Sequence, residues 1–225
     1  MKRFPFFVAF ALFLTACGPA TLSYNITFDT DNAARMTDLS LALRRVTERR
    51  LARLEANLTD FDVDHNKETL ETSVSIEVDS TKAAAQLNDE LLAPFSFEMR
   101  YVVDPETEEE GDITVEGLGS FRATGVEGTH IDWVLGEAME GPLDQGKVII
   151  GFTDEGVSRM QNVLHERDGT TIGLFVRGRL TASLQVDGDS ITRTIEIPGL
   201  PSAELANIFA DDMNVGIHMT LSPAS

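Results

Sequence analysis

KVIIGFTDEGVSRMQNVLHERDGTTIGLFVRGRLTASLQV (147–186), closed by LPSAELANIFADDMNVGIHMTL (200–221), is the part of the sequence from which the rest can be read. Val148, Ile149 and Ile150 form a β-branched run that predicts a strand. Thr153 can cap a helix N-terminus with its hydroxyl, and Asp154 and Glu155 then sit in the first turn, where the helix dipole favours negative charge. Val157, Met160 and Leu164 follow at steps of three and four, which gives that helix one apolar face. Asp168-Gly169 stops it. Thr171 to Val176 and Leu180 to Val186 read as two strands turning tightly at Arg177-Gly178. Ser202 can cap a second helix that buries Leu205, Ile208 and Phe209, and a last strand is expected over 215–221.

Upstream, Leu22, Tyr24, Ile26 and Phe28 alternate with polar residues, as in a half-buried strand. Met36, Leu39, Leu43, Val46, Leu54 and Leu58 recur at helical spacing, with Leu51 filling the face beside Arg50, so a long helix is predicted from Arg35 to Asn57. Two strands (58–63 and 69–78) follow, then a helix from Thr81 to Leu92 between Ser80 and Pro94. Phe95, Phe97, Met99 and Tyr101 alternate again as a fourth strand. This βαββαβ order over 21–103 predicts a ferredoxin-like sandwich, two helices on one face of an antiparallel sheet. The acidic run DPETEEEGD (104–112), with Glu108, Glu109 and Glu110 at its centre, reads as an exposed hinge. Residues 113–129 suggest short strands and turns, and Trp133 to Met139 a short helix before Gly141-Pro142. The expected fold class is α+β, a base subdomain (21–103) followed by a mixed α/β head (113–225).

The downstream order of strand, helix, hairpin, helix and strand resembles the first periplasmic domain of SecD, the accessory subunit of the bacterial protein-export channel. The residues that carry the resemblance are Ile149-Ile150-Gly151-Phe152-Thr153-Asp154-Glu155-Gly156, then the hairpin from Ile172 to Ser183, then Leu200 to Ile208. Gly178 and the small residues of the second hairpin strand match the family pattern "L-A-I-x-L-D-G-x-V-x-S-A-P". Arg177 stands where that pattern has Asp, and the Ala-Pro step is missing. In the base half the similarity is weaker: Leu43-Arg44-Arg45-Val46 in an Arg-rich helix, and Phe97-Glu98-Met99-Arg100-Tyr101-Val102 in place of "L-E-F-R-x-V". The resemblance implies a domain that contacts unfolded, emerging polypeptides outside the membrane. Full SecD continues into membrane helices with a proton pathway, whereas this sequence ends at Ser225, so no proton-coupled role is expected of it.

The N-terminus agrees with an extracytoplasmic location. Lys2 and Arg3 precede an apolar core from Phe4 to Leu14, too short to span a bilayer. Leu14-Thr15-Ala16-Cys17 reads as a lipobox, which predicts a signal peptide over 1–16, lipid on Cys17 and a tether over 17–20; the alternative is an ordinary secretory signal with an incidental cysteine. The expected location is the bacterial cell envelope, facing the periplasm or exterior. Cys17 is the only cysteine, so no internal disulfide can form. Loss of Lys2 and Arg3 takes the formal charge from −19 to −21, which repels nucleic acid and anionic lipid. Arg44, Arg45, Arg49, Arg50 and Arg53 form the one basic segment, either a patch for an acidic partner or a solvated face paired with Glu48 and Glu55.

No catalytic set is recognisable. His65, His130, His165 and His218 have no metal-ligand spacing. His130 and Asp132 sit in an expected loop as ordinary polar residues. There is no GxSxG or Walker loop, and Gly117-Leu118-Gly119 lacks the third glycine of a dinucleotide fingerprint. Asp187-Gly188-Asp189-Ser190 reads as a hairpin turn, because a calcium loop would need greater length and a distal Glu. The expectation is therefore a non-catalytic binding protein without cofactor or metal. Its partners would be exported or unfolded polypeptides or the export machinery, or, for an envelope scaffold, another folded protein. The candidate binding residues are Arg177, Gly178 and Arg179 at the hairpin turn and Glu108, Glu109 and Glu110 in the acidic run.

Overall fold

The structure is a computed structural model and describes residues 18–66, 71–141, 144–167, 169–186 and 193–224. Cys17 with the expected signal peptide, Asp168, Pro142, the 187–190 turn and the start of the 69–78 strand lie outside the described residues.

The first half opens with β1 (Ala20–Phe28) and α1 (Ala33–Arg53). The Asn32 side chain starts α1 by accepting from the Ala34 and Arg35 N–H groups. Strands β2 (Leu58–His65) and β3 (Thr72–Val78) and helix α2 (Thr81–Leu92) follow as predicted, α2 capped by the Ser80 side chain on the Ala83 N–H. Tyr24 and Ile26 of β1, Val74, Ile76 and Val78 of β3, Leu39, Leu43, Val46 and Leu51 of α1 and Leu87 of α2 meet in one core. Full burial of each of these aliphatic side chains contributes about 1.5–3 kcal/mol.

The second half begins with β4 (Phe97–Val103), β5 (Ile113–Val115), β6 (Gly119–Glu127), β7 (Ile131–Ala138), β8 (Gly146–Phe152) and α3 (Asp154–Glu166). The chain continues through β9 (Thr171–Val176), β10 (Arg179–Gln185), β11 (Thr194–Leu200), α4 (Ala203–His218) and β12 (Met219–Pro223). Thr153 and Ser202 cap α3 and α4 as expected, through the Gly156 and Leu205 N–H groups. Two antiparallel sheets, β10-β9-β4-β6-β5 and β11-β8-β7, share one core with α3 and α4.

The contiguous ferredoxin-like unit over 21–103 is not formed. The base sheet has the order β12-β1-β3-β2, and its place beside β1 is taken by the last strand of the chain, with Met219 opposite Phe28 and Pro223 opposite Tyr24. β4 lies instead between β6 and β9. Phe97, Met99, Tyr101 and Val103 all bury their side chains there, and residues 98, 100 and 102 are half-buried on the opposite face. Such a strand suits a sheet interior, whereas short β12, ending in proline, suits an edge.

The boundary moves with this exchange. Residues 104–112 link β4 to β5 inside the second half and are not a hinge between halves. The chain crosses between halves at 93–96 and again between His218 and Met219. Two further expectations change. Residues 133–139 are not helical: β7 pairs with β8 from Ile131 to Ala138, its period of two outweighing a short helical reading. α4 continues to His218 and buries Ala206, Ala210, Met213 and Val215, while Leu205 is exposed. Small residues occupy its buried face because β7 comes too close for large ones. A Cβ on Gly136 would lie 2.4 Å from the Ala206 carbonyl carbon.

Candidate functional site: the junction between the halves

α1 is the shared wall of the two halves. Its Leu43, Val46 and Leu51 side enters the base core. A neighbouring stripe at steps of three and four (Arg35, Asp38, Ala42, Arg45, Arg49) faces α4 and β7. Arg45 donates from Nε and Nη2 to the two carboxylate oxygens of Asp211 on α4, at 2.9 and 2.6 Å, and Arg49 Nη1 donates to the same group at 2.9 Å. The Asp211 side chain is only 10% exposed. The hydrogen bond to Asp211 raises the Arg45 pKa above its ordinary value. A buried carboxylate with two guanidiniums is a strong, directional tie, so the basic segment meets an acidic partner inside the molecule. Arg44 alone of that cluster makes the expected pair with Glu48, at 3.0 Å.

Nearer the start of α1, Arg35 bonds the Asp132 carboxylate at 3.2 Å and also donates to the Asp132 backbone carbonyl. His218, the last residue of α4, is buried beside this pair; its Nδ1–H donates to Asp29, and Arg35 Nη2 lies 3.3 Å from the same nitrogen. Nε2 of His218 has no hydrogen-bond partner among the described residues. Burial lowers the His218 pKa, with the Asp29 bond opposing and the Arg35 charge adding to the effect. Asn214 of α4 pairs with the free edge of β7 as a strand would, accepting from the Val134 N–H at 3.0 Å and donating to its carbonyl at 2.7 Å.

Between α1, β7 and α4 lies an open cleft of about 370 Å³. Five large apolar side chains are exposed among the described residues, and three of them line this cleft: Leu41 (49%), Trp133 (36%) and Leu135 (44%). That convergence distinguishes the cleft from an ordinary scatter of surface apolar residues. Trp133 lies over Gly151, whose absent side chain makes room: a Cβ there would meet the indole at 2.4 Å. Trp133, Leu135 and Asp211 were not singled out from sequence. The available signal was the period of two in Trp133-Val134-Leu135-Gly136 and the Asp211-Asp212 pair opposite five arginines.

The residues that were singled out occupy other places. Arg177 and Gly178 form the β9–β10 turn with φ of 50° and 73°, the left-handed pair a tight hairpin requires. The Arg177 N–H donates to the Ser96 carbonyl at 2.9 Å, and its guanidinium lies 6.0 Å from the centre of the Phe95 ring. Arg179 is exposed at the start of β10. Glu108 accepts from the Ser120 hydroxyl, Glu109 pairs with Arg122 at 2.8 Å, and Glu110 is exposed. Arg122 also bonds Asp112 and holds its carboxyl below the usual carboxylate range. Val176 pairs with Phe97 at the start of β4, while 104–112 follows its end. The two groups are therefore about 20 Å apart along β4 and form no common site.

Among the described residues no three His, Cys, Asp or Glu side chains are grouped to hold a metal, and no helix is long and apolar enough to cross a membrane. His130 is buried and its Nδ1 accepts from the Glu127 N–H at 3.0 Å, while Asp132 is the partner of Arg35.

No family model matches the sequence, and no curated protein matches it. Solved structures that match it are of SecDF. The chain covers 91% of its length against 99% of a chain described as a membrane component, SecDF, that enhances protein export, with 16% identity and a TM-score of 0.46. Against SecDF in a super-membrane-facing form the identity is 16% and the TM-score 0.47, over 92% of this chain. Against SecDF from Thermus thermophilus, a translocon-associated membrane protein, they are 15% and 0.42, over 91% of this chain. The chain spans 30% of each of these last two.

Proposed function

We propose that this protein is a lipid-anchored, extracytoplasmic, SecD-like binding domain without catalytic activity, and that it contacts exported polypeptides or the export machinery through the cleft between its halves. The observation that carries this reading is the convergence of Leu41, Trp133 and Leu135 on one cleft. An unfolded chain offers scattered apolar side chains, and a partly open apolar cleft rimmed by charged groups can take them without demanding one sequence. Arg35 and Arg45 at the rim are already paired with Asp132 and Asp211, which leaves the apolar side chains as the groups free to bind. The motif resemblance of 147–221 agrees with this reading, and the lipobox ending at Cys17 supplies the anchor.

Photo-crosslinking in cells tests it, with probes at Leu41 and Leu135 and controls at Arg179 and Glu110. A smear of short-lived exported chains from the cleft positions alone, lost when export is blocked, is the expected result. One discrete and persistent band would instead identify an envelope scaffold with a folded partner. Equal labelling at all four positions would remove the cleft from the account.

A further inference from the structure

A second cavity, of about 280 Å³, opens where both crossings pass between the halves. Leu91, Leu92, Pro94, Phe95, Met219 and Leu221 give it apolar walls. Two guanidiniums enter it, Arg50 from α1 and Arg177 from the β9–β10 turn. The Arg50 side chain is 15% exposed, and its Nη1 is buried with no hydrogen-bond partner among the described residues. Its carboxylate neighbours are Glu90 at 3.6 Å and Asp212 at 4.0 Å, both beyond hydrogen-bonding reach. The Arg177 side chain is exposed at the turn; its guanidinium makes no hydrogen bond or ion pair among the described residues and lies 6.0 Å from the centre of the Phe95 ring. Burial lowers the Arg50 pKa, with the Asp212 and Glu90 charges opposing and the Arg177 charge adding to the effect.

The buried Nη1 of Arg50 without an acceptor is costly, whereas exposed Arg177 keeps its donors hydrated and available at the mouth of the cavity. We propose that this cavity binds a carboxylate on an apolar tail, the carboxylate between Arg50 and Arg177 and the tail against Phe95 and Leu91. A planar carboxylate matches the guanidinium fork. Glu90 and Asp212 line the same space and balance the two arginines in formal charge, so there is no net positive charge to draw a dianion such as phosphate, and a ligand is held by the planar fork and by its apolar tail. The volume lies at the small end of ligand cavities, which suits a chain end or a short acid and excludes an extended segment. The C-terminus of a polypeptide and a free aliphatic acid share this chemistry. This site is separate from the apolar cleft and stands whether or not the cleft binds polypeptides.

The test is a titration of the full-length protein in detergent with octanoate, N-acetyl-leucine, N-acetyl-leucinamide and inorganic phosphate, following the side-chain Nε–H resonances of Arg50 and Arg177. One or both acids shift both resonances saturably, while the amide and phosphate do not. Octanoate alone identifies a free acid, N-acetyl-leucine alone a chain terminus, and both together a site open to either. Arg177→Asn keeps a residue suited to the turn and weakens binding by about tenfold or more, as loss of a charge-assisted bond requires. Arg50→Gln gives the same loss from the opposite wall. Silence with both acids, an equal response to the amide, saturable binding of phosphate, or undiminished binding by Arg177→Asn would each overturn the proposal.

Discussion

Neighbouring arginines on two faces of α1 meet their carboxylates in opposite ways. Toward its middle, Arg45 and Arg49 close on Asp211 with three hydrogen bonds of 2.6–2.9 Å. The next residue, Arg50, has carboxylates only at 3.6 and 4.0 Å and makes no side-chain hydrogen bond to them; its Nη1 is buried without a partner, as is Nη2 of Arg49, and exposed Arg177 faces it. The first arrangement works as a clamp that holds the halves together. The second leaves donors available to a ligand. Charge count alone does not separate the two; hydrogen-bond geometry does.

The largest effect should come from breaking the clamp. Asp211→Ala leaves two guanidiniums without their acceptor and should cost about 2–3 kcal/mol in urea denaturation, discounted because Arg45 is half exposed. Arg50→Met should stay within about 1 kcal/mol of wild type, because an apolar side chain of similar length suits those walls. Equal losses in the two variants would erase the contrast between the two faces.

His218 gives an intermediate effect and tests the same junction by pH. Its folded pKa is lowered by burial, so the unfolded chain takes up the proton first. Stability is then level above about pH 6.5 and falls as pH drops through the lowered folded value. Asp29, Arg35 and Asp132 face the ring, and protonation adds a positive charge beside Arg35. Thermal unfolding against pH should show this slope in wild type and a shallower one in His218→Asn; identical slopes would assign the pH dependence to the carboxylates alone. The smallest effect belongs to Arg177→Gly. Relief of the left-handed strain should outweigh the loss of the Phe95 contact and leave stability unchanged or raised by about 0.5 kcal/mol. A loss above about 1 kcal/mol would show that the turn depends on that contact.

Much of the fold was legible in local pattern. Asn32, Ser80, Thr153 and Ser202 start their helices by side-chain caps, and the clean alternation in 22–28 and 72–78 describes strands with one buried face. Arg177-Gly178 was readable as a turn because few two-residue connections fit a hairpin. The candidate site was much less legible. Trp133 and Leu135 lay in a short stretch whose period of two competes with a helical reading until β8 pairs with it, and the apolar spacing predicted for α4 missed the Ala206–Ala210–Met213 face that β7 demands.

By itself, then, the sequence determined most of the helices and strands, where most of them begin, the acidic surface and the presence of a hairpin turn at Arg177. Those properties depend on neighbours within a few residues, through backbone sterics, capping and side-chain period. Only the tertiary structure decided that β12 rather than β4 completes the base sheet, that 104–112 belongs to the head, and that Asp211 rather than Glu48 answers Arg45. Each of these is a choice between partners far apart in sequence. It is settled by which strand can bury both faces, which edge tolerates proline, and which carboxylate comes within hydrogen-bonding distance once the halves pack.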